Sequence, residues 1–285
     1  MPVMPDTGCL RCRLFLRGSL TASVLLGMSG AQAHTPVGLA GQQVWPVWLS
    51  WVLYLTAWWL YLLGALRVRP DRRSRAAFHS GMLVCGLALF GPVDEAAAHS
   101  TAMHMLQHML LIAVVAPWMV VARPLVQWRA ALGPRLDPWT RPVLGSLRYP
   151  LGWALAHGAA LWVWHMPRPY MAALQHEALH AIEHACFLLS AWGFWWAVLR
   201  APPPVRAAAM LSLWLTLMHT GFLGAVLVFA PRPLYFPESR TLDDQQLAGL
   251  LMWAPGGAVY VAAAGWLVSR WLKPPVARQP PPQTC

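Results

Sequence analysis

Charged side chains are scarce: Asp, Glu, Lys and Arg make up 11% of the 285 residues, against about 25% in soluble domains. With 58% of the chain hydrophobic, that scarcity excludes an ordinary water-soluble globule, and the solvent of most side chains is membrane lipid. Acids are scarcer still, 10 against 21 Lys and Arg. The resulting pI near 10.3 would suit a nucleic-acid binder, but the basic residues are almost all Arg in short clusters between apolar runs. No aromatic-spaced basic stripe accompanies them, so no nucleic-acid partner is expected, and the clusters suit loops held on the cytoplasmic side. Cysteine is also too sparse to staple a fold. Of five, Cys85 and Cys186 lie within apolar runs and Cys285 ends the chain, which leaves no disulfide framework. Missing too are a phosphate loop, a dinucleotide fingerprint, an HExxH motif and a nucleophile with a base at credible spacing, so no enzyme is expected.

What is abundant is apolar length. Runs fit to cross a bilayer, each needing about 20 residues, appear near 45–66, 77–93, 102–122, 150–166, 178–199, 207–230 and 247–271. The second and fourth are short. Helices are the only credible form, because unpaired backbone in lipid is too costly and no segment alternates with a barrel's period of two. The expectation is an all-α polytopic bundle with about seven transmembrane helices over residues 34–273. Many of the 18 Trp sit near the ends of the runs, where an indole favours the membrane interface.

Residues 1–33 have the layout of a cleavable signal peptide: Arg11, Arg13 and Arg17, a moderately apolar stretch from Ser19 to Gly30, then Ala31-Gln32-Ala33. The Cys9-Leu-Arg-Cys12 pair would then be removed with it. Residues 274–285 read as a disordered Pro-rich tail. If residues 34–44 are outside, 15 of the Lys and Arg residues beyond the signal lie inside and only Arg168, Arg232 and Arg240 lie outside. Charge asymmetry therefore predicts a multi-pass protein of a bacterial inner membrane with its N-terminus outside and its C-terminus cytoplasmic.

That orientation places the histidines, eleven in all, by depth. His104 and His108 begin the third run, His165 ends the fourth, and His176, His180 and His184 begin the fifth. All six fall at the outer end. Residues four apart lie about 40° apart around a helix, so His104 and His108 share a face and His176, His180 and His184 form a stripe about 12 Å long. Polar side chains within spans are expensive and usually functional, and two facing helices so equipped can supply three or four imidazoles to one ion. His79 and His99 read instead as hydrogen-bonding anchors, and the deeper His157 and His219 as interhelical hydrogen bonds. Met105 and Met109 flank the first pair, and thioethers beside imidazoles favour copper as Cu(I) over harder ions, although Met is also an ordinary apolar filler. Glu177, Glu183, Asp243 and Asp244 could ligate iron or manganese, or orient imidazoles. Cleavage after Ala33 would leave His34 at the N-terminus, where amine and imidazole could chelate copper together. The shallow depth of the cluster suggests an open, exposed site.

Several segments carry a family resemblance: His104-Met-Leu-Gln-His108, Trp164-His165-Met-Pro167 followed by Tyr170, Leu179-His180-Ala-Ile-Glu183-His184, Phe194-Trp-Trp196, Pro233-Leu-Tyr235, Asp244-Gln-Gln246 and Met252-Trp-Ala-Pro-Gly-Gly257. Together, from about residue 45 to 271, they resemble the polytopic CtaG family of cytochrome c oxidase assembly factors. The chain departs from that pattern at Ala197 and in a long Arg-rich loop, 123–149. The resemblance implies a seven-span protein that helps mature an oxidase copper centre, with an oxidase subunit and copper chaperones as partners. It carries over His104, His108, His165, His180 and His184, with Tyr170 and Asp244 as supports. Two other classes stay open: a copper permease with His157 and His219 along its path, and a haem-binding membrane oxidoreductase with histidine pairs as axial ligands.

Overall fold

The computed structural model describes residues 45–236 and 240–272. The expected signal peptide, Cys9, Cys12, His34 and the Pro-rich tail lie outside the described residues. Among those described there are helices and no strands, in this order: α1 (Trp45–Arg67), α2 (Arg72–Phe90), α3 (Pro92–Ala97), α4 (Thr101–Met109), a π-helical segment (Leu110–Val115), α5 (Ala116–Ala122), α6 (Pro124–Leu132), α7 (Asp137–Ser146), α8 (Pro150–His165), α9 (Pro167–Gln175), α10 (Glu177–Leu199), α11 (Arg206–Phe229) and α12 (Leu242–Trp271).

Among the described residues, six helical stretches are long and apolar enough to cross a membrane: Trp45–Arg67, Arg72–Ala97, Thr101–Ala122, Glu177–Leu199, Pro203–Phe229 and Leu242–Trp271. The fourth expected run also forms a helix, α8, but its 16 residues span only about 24 Å. It ends where Pro167, which has no N–H to continue the ladder, opens α9 instead. The stretch 123–149, expected as a loop, contains α6 and α7. Helix α6 lies against the end of α1, with the Trp128 indole donating to the Ala57 carbonyl at 2.8 Å and Arg67 donating to Ala130 and Ala131. The approach is close enough that a Cβ at Gly64 would stand 1.8 Å from the Gln127 carbonyl oxygen.

Two packed cores result. The larger is built from α4, the π segment, α5, α8, α9, α10, α11 and α12, with Phe187, Phe194, Trp195, Leu213 and Tyr260 at its centre. The smaller joins α1 and α2 to the third span through Tyr61, Phe78, Met82, Leu111 and Met119, the Tyr61 and Phe78 rings stacking at 3.5 Å. Basic connectors gather at one end of the bundle: Arg200 donates to Val120, and Arg270 to Leu199. At that end Asp71 caps α2, accepting from the Ser74 N–H at 2.9 Å and the Ser74 hydroxyl at 2.7 Å. These hydrogen bonds hold its carboxyl below the usual range. His104, His108, His165, His180 and His184 occupy the opposite end.

Candidate metal centre

Helix α4 begins at Ser100, whose hydroxyl accepts from the Met103 N–H at 3.1 Å. The Asp244 carboxylate of α12 reinforces that start, accepting from the Ser100 hydroxyl at 2.6 Å and from the N–H groups of Thr101 and Ala102 at 2.5 and 3.2 Å. Those N–H groups have no partner inside the helix, and an anion there is favoured by the helix dipole. Arg240 locks the same corner from the 230–241 connection, donating to Thr101 Oγ1 and to the Ala97 and Ala98 carbonyls. The first histidine follows one turn later.

Beyond His108 the third span loosens into the π segment, where the Ala116 N–H reaches back to the Leu111 carbonyl. The next such bond would need an N–H from Pro117, which has none. The carbonyl it would have served, that of Ile112, instead accepts from the Trp195 indole of α10 at 2.8 Å. The two helices that carry the histidines are thus joined by a buried hydrogen bond. Trp153 of α8 reaches α10 at Gly193, where a Cβ would stand 2.1 Å from its ring.

Between α4 and α10 the imidazoles form a four-cornered array. Ring centroids are 4.2 Å apart for His104 and His108, 4.2 Å for His180 and His184, 5.3 Å for His104 and His180, and 5.4 Å for His108 and His184. Glu183 joins it from α10. Its Oε2 lies 3.8 Å from His104 Nε2 and its Oε1 3.7 Å from His108 Nε2. Both distances exceed a hydrogen bond, and both carboxylate oxygens and all four ring nitrogens of His104 and His108 are buried without a hydrogen-bond partner among the described residues.

The spacing suits an ion. Two ligand atoms about 2.1 Å from one metal stand about 3.4 Å apart at a tetrahedral angle and about 3.7 Å apart at 120–125°. The Glu183 distances to His104 and His108 are close to the wider of these values, and among the described residues two triads have their ligand atoms within 4.8 Å of one another: His104 with His108 and Glu183, and His180 with His184 and Glu183. Glu183 belongs to both. Chain spacing hinted at this: Glu183 is three residues beyond His180 and so on a neighbouring face, but only the rotation of α10 against α4 turns its carboxylate toward His104 and His108.

The centre is buried, which corrects the expectation of an open, exposed site. His104, His108 and Glu183 are 0%, 2% and 0% exposed, and His180 and His184 only 9% and 8%. Depth along a helix does not reveal lateral cover, and α9 supplies that cover. The Tyr170 ring packs edge-on against His104 with centroids 5.1 Å apart and stacks on Tyr235 at 3.9 Å. The Tyr235 hydroxyl donates to the His165 carbonyl at 2.7 Å. Burial pushes both tyrosine hydroxyls above their ordinary range, so both stay neutral.

The remaining expected ligands separate. His165 is 5% exposed, with its centroid 6.0 Å from that of His108 and its Nε2 3.2 Å from the Met105 sulfur. Met109 leaves the group, its sulfur lying over Gly256 of α12. His176 is exposed and forms the N-cap of α10. A cap has extended backbone, so the four-residue periodicity of the expected stripe stops at His180. Deeper in the bundle, His157 pairs through Nδ1 with the Ser190 hydroxyl at 2.9 Å, the interhelical hydrogen bond expected of it, and His79 accepts from the Trp58 indole at 3.1 Å. His219 lies against Gly158, beside His157.

The family model for cytochrome c oxidase caa3 assembly factors, Caa3_CtaG, matches residues 59–274. No curated protein and no solved structure matches the chain.

Proposed function

The chain belongs to the cytochrome c oxidase caa3 assembly factor family, and from that premise we propose that it binds copper between α4 and α10 and supplies it to an oxidase copper centre during assembly. The observation that carries this reading is Glu183, a carboxylate with no exposure and no hydrogen-bond partner among the described residues, facing two equally unpartnered imidazoles. A buried charge without compensation is costly, and a cation between these groups removes the cost.

Charge favours Cu(I). One carboxylate neutralises one monovalent ion, whereas a divalent ion would leave a net positive charge in a low-dielectric interior. Imidazole suits copper, and a nearby thioether suits its reduced state. The cluster lies at the end of the bundle away from the Arg-rich connectors, so the charge asymmetry of the sequence supports a site toward the non-cytoplasmic face of the bacterial inner membrane. There a copper chaperone could load it and an oxidase subunit could unload it. Because the centre is covered by α9, Tyr170 and Tyr235, loading and delivery require those groups to move.

The test is metal analysis of the purified full-length protein after exposure to Cu(I), beside a variant with His104, His108, His180 and His184 all changed to Ala. Copper near one equivalent or more in wild type and its loss from the variant are expected. Equal copper in both sinks the reading.

A further inference from the structure

The structure assigns His165 and Met105, with His108, as a second and softer station for the ion, to which it passes from the Glu183 centre by exchange of ligands around His108. This rests on the copper reading above and adds a defined route within it.

The argument starts from a tautomer. His165 Nδ1 lies 2.7 Å from the Leu161 carbonyl oxygen, which can only accept, so Nδ1 carries the proton. A doubly protonated ring would be a buried cation with a thioether, not a carboxylate, at its other nitrogen, and burial disfavours it. Nε2 therefore presents a lone pair, and it faces Met105 Sδ at 3.2 Å. A thioether has no proton to give. Two lone-pair donors buried in contact, at 5% and 0% residue exposure, gain nothing from each other, but together they form a bidentate grip on a soft cation.

The geometry of that grip is restrictive. With bonds of about 2.0 Å to nitrogen and about 2.3 Å to sulfur, a 3.2 Å separation sets an N–metal–S angle of about 96°, far from linear. The pair thus needs a third ligand on the open side. His108 is available: it is three residues after Met105 and so its neighbour on α4, and its ring centroid is 6.0 Å from that of His165. His108 also belongs to the Glu183 triad. An ion held by His104, His108 and Glu183 can take on His165 and Met105 while keeping His108 and then release the other two, so no free ion forms in the bundle. No electron moves in this step. The first station offers nitrogen and oxygen with a counter-charge, the second neutral nitrogen and sulfur, so the preference of Cu(I) for soft donors offsets the loss of the carboxylate and the two stations exchange the ion.

X-ray absorption at the copper edge, on full-length protein loaded anaerobically with Cu(I), distinguishes the stations. Wild type should show a nitrogen or oxygen shell near 2.0 Å and a weaker sulfur shell near 2.3 Å. Met105→Leu should lose the sulfur shell and keep its copper. His104→Ala combined with Glu183→Gln should retain copper with a stronger sulfur shell. If wild type binds copper but neither it nor the double variant shows sulfur, or if Met105→Leu retains the sulfur shell, the second station is overturned and the Glu183 centre stands. If wild type binds no copper, both fall. Met105→Leu conserves volume and should cost little stability, and an unchanged Tm checks that its spectrum is that of folded protein.

Discussion

Asp244 and Glu183 reach helix α4 one turn apart, and their surroundings could hardly differ more. Asp244 accepts from one hydroxyl and two backbone N–H groups. Glu183 accepts from nothing among the described residues and faces two imidazoles just beyond hydrogen-bond range. A satisfied acid stabilises a fold. A buried acid left without a hydrogen-bond donor costs stability until a cation or a proton compensates it. The difference separates the corner that holds α4 in place from the centre that α4 is held in place to make.

The sharpest way to break the comparison is to remove imidazoles from the centre. His104→Ala with His108→Ala should lower bound copper at least tenfold and abolish maturation of the oxidase copper centre in cells, measured by metal analysis and oxidase activity. Asp244→Ala should keep its copper once the protein is folded. If both variants lose copper equally, the distinction between corner and centre is wrong.

Glu183→Gln tests the other half. It replaces the buried acid with a neutral amide of the same shape, so the metal-free protein should be as stable as wild type or more so. The rise in Tm on adding copper should shrink sharply, since a ligand at about 100 times its Kd stabilises by about 2.7 kcal/mol. A metal-free Glu183→Gln protein much less stable than wild type would mean that the carboxylate is already paired.

Asp244→Ala leaves helix-end N–H groups without their acceptor and should cost about 2 kcal/mol, read as a lower Tm with or without copper. Trp195→Phe removes the donor to the Ile112 carbonyl and should cost about 1 kcal/mol. Its loss should appear mainly as looser coupling of α4 to α10, seen as faster amide exchange in the π segment. The smallest effect belongs to His176→Ala. The side chain is exposed at a helix cap, and copper content should not change.

Much of this was legible before any coordinates. Runs expected near 45–66, 102–122 and 178–199 became Trp45–Arg67, Thr101–Ala122 and Glu177–Leu199, because lipid leaves a backbone little choice but to bond within its own helix. The pairing of His104 with His108 and of His180 with His184 followed from the turn of the helix alone. The periodicity failed at His176, where the helix had not yet begun, and in 123–149, where Arg content concealed two helices, one of them packed on α1.

The sequence by itself determined a helical membrane bundle and the grouping of histidines at one end of it, since hydropathy and helical periodicity act along a single chain. Tertiary structure alone decided that Glu183 faces His104 and His108, that Met105 rather than Met109 meets His165, and that α9 and two tyrosines bury the whole centre. Each of these depends on how far one helix is rotated against another. That rotation is set by contacts such as Trp195 on Ile112 and Trp153 on Gly193, between residues far apart in the chain.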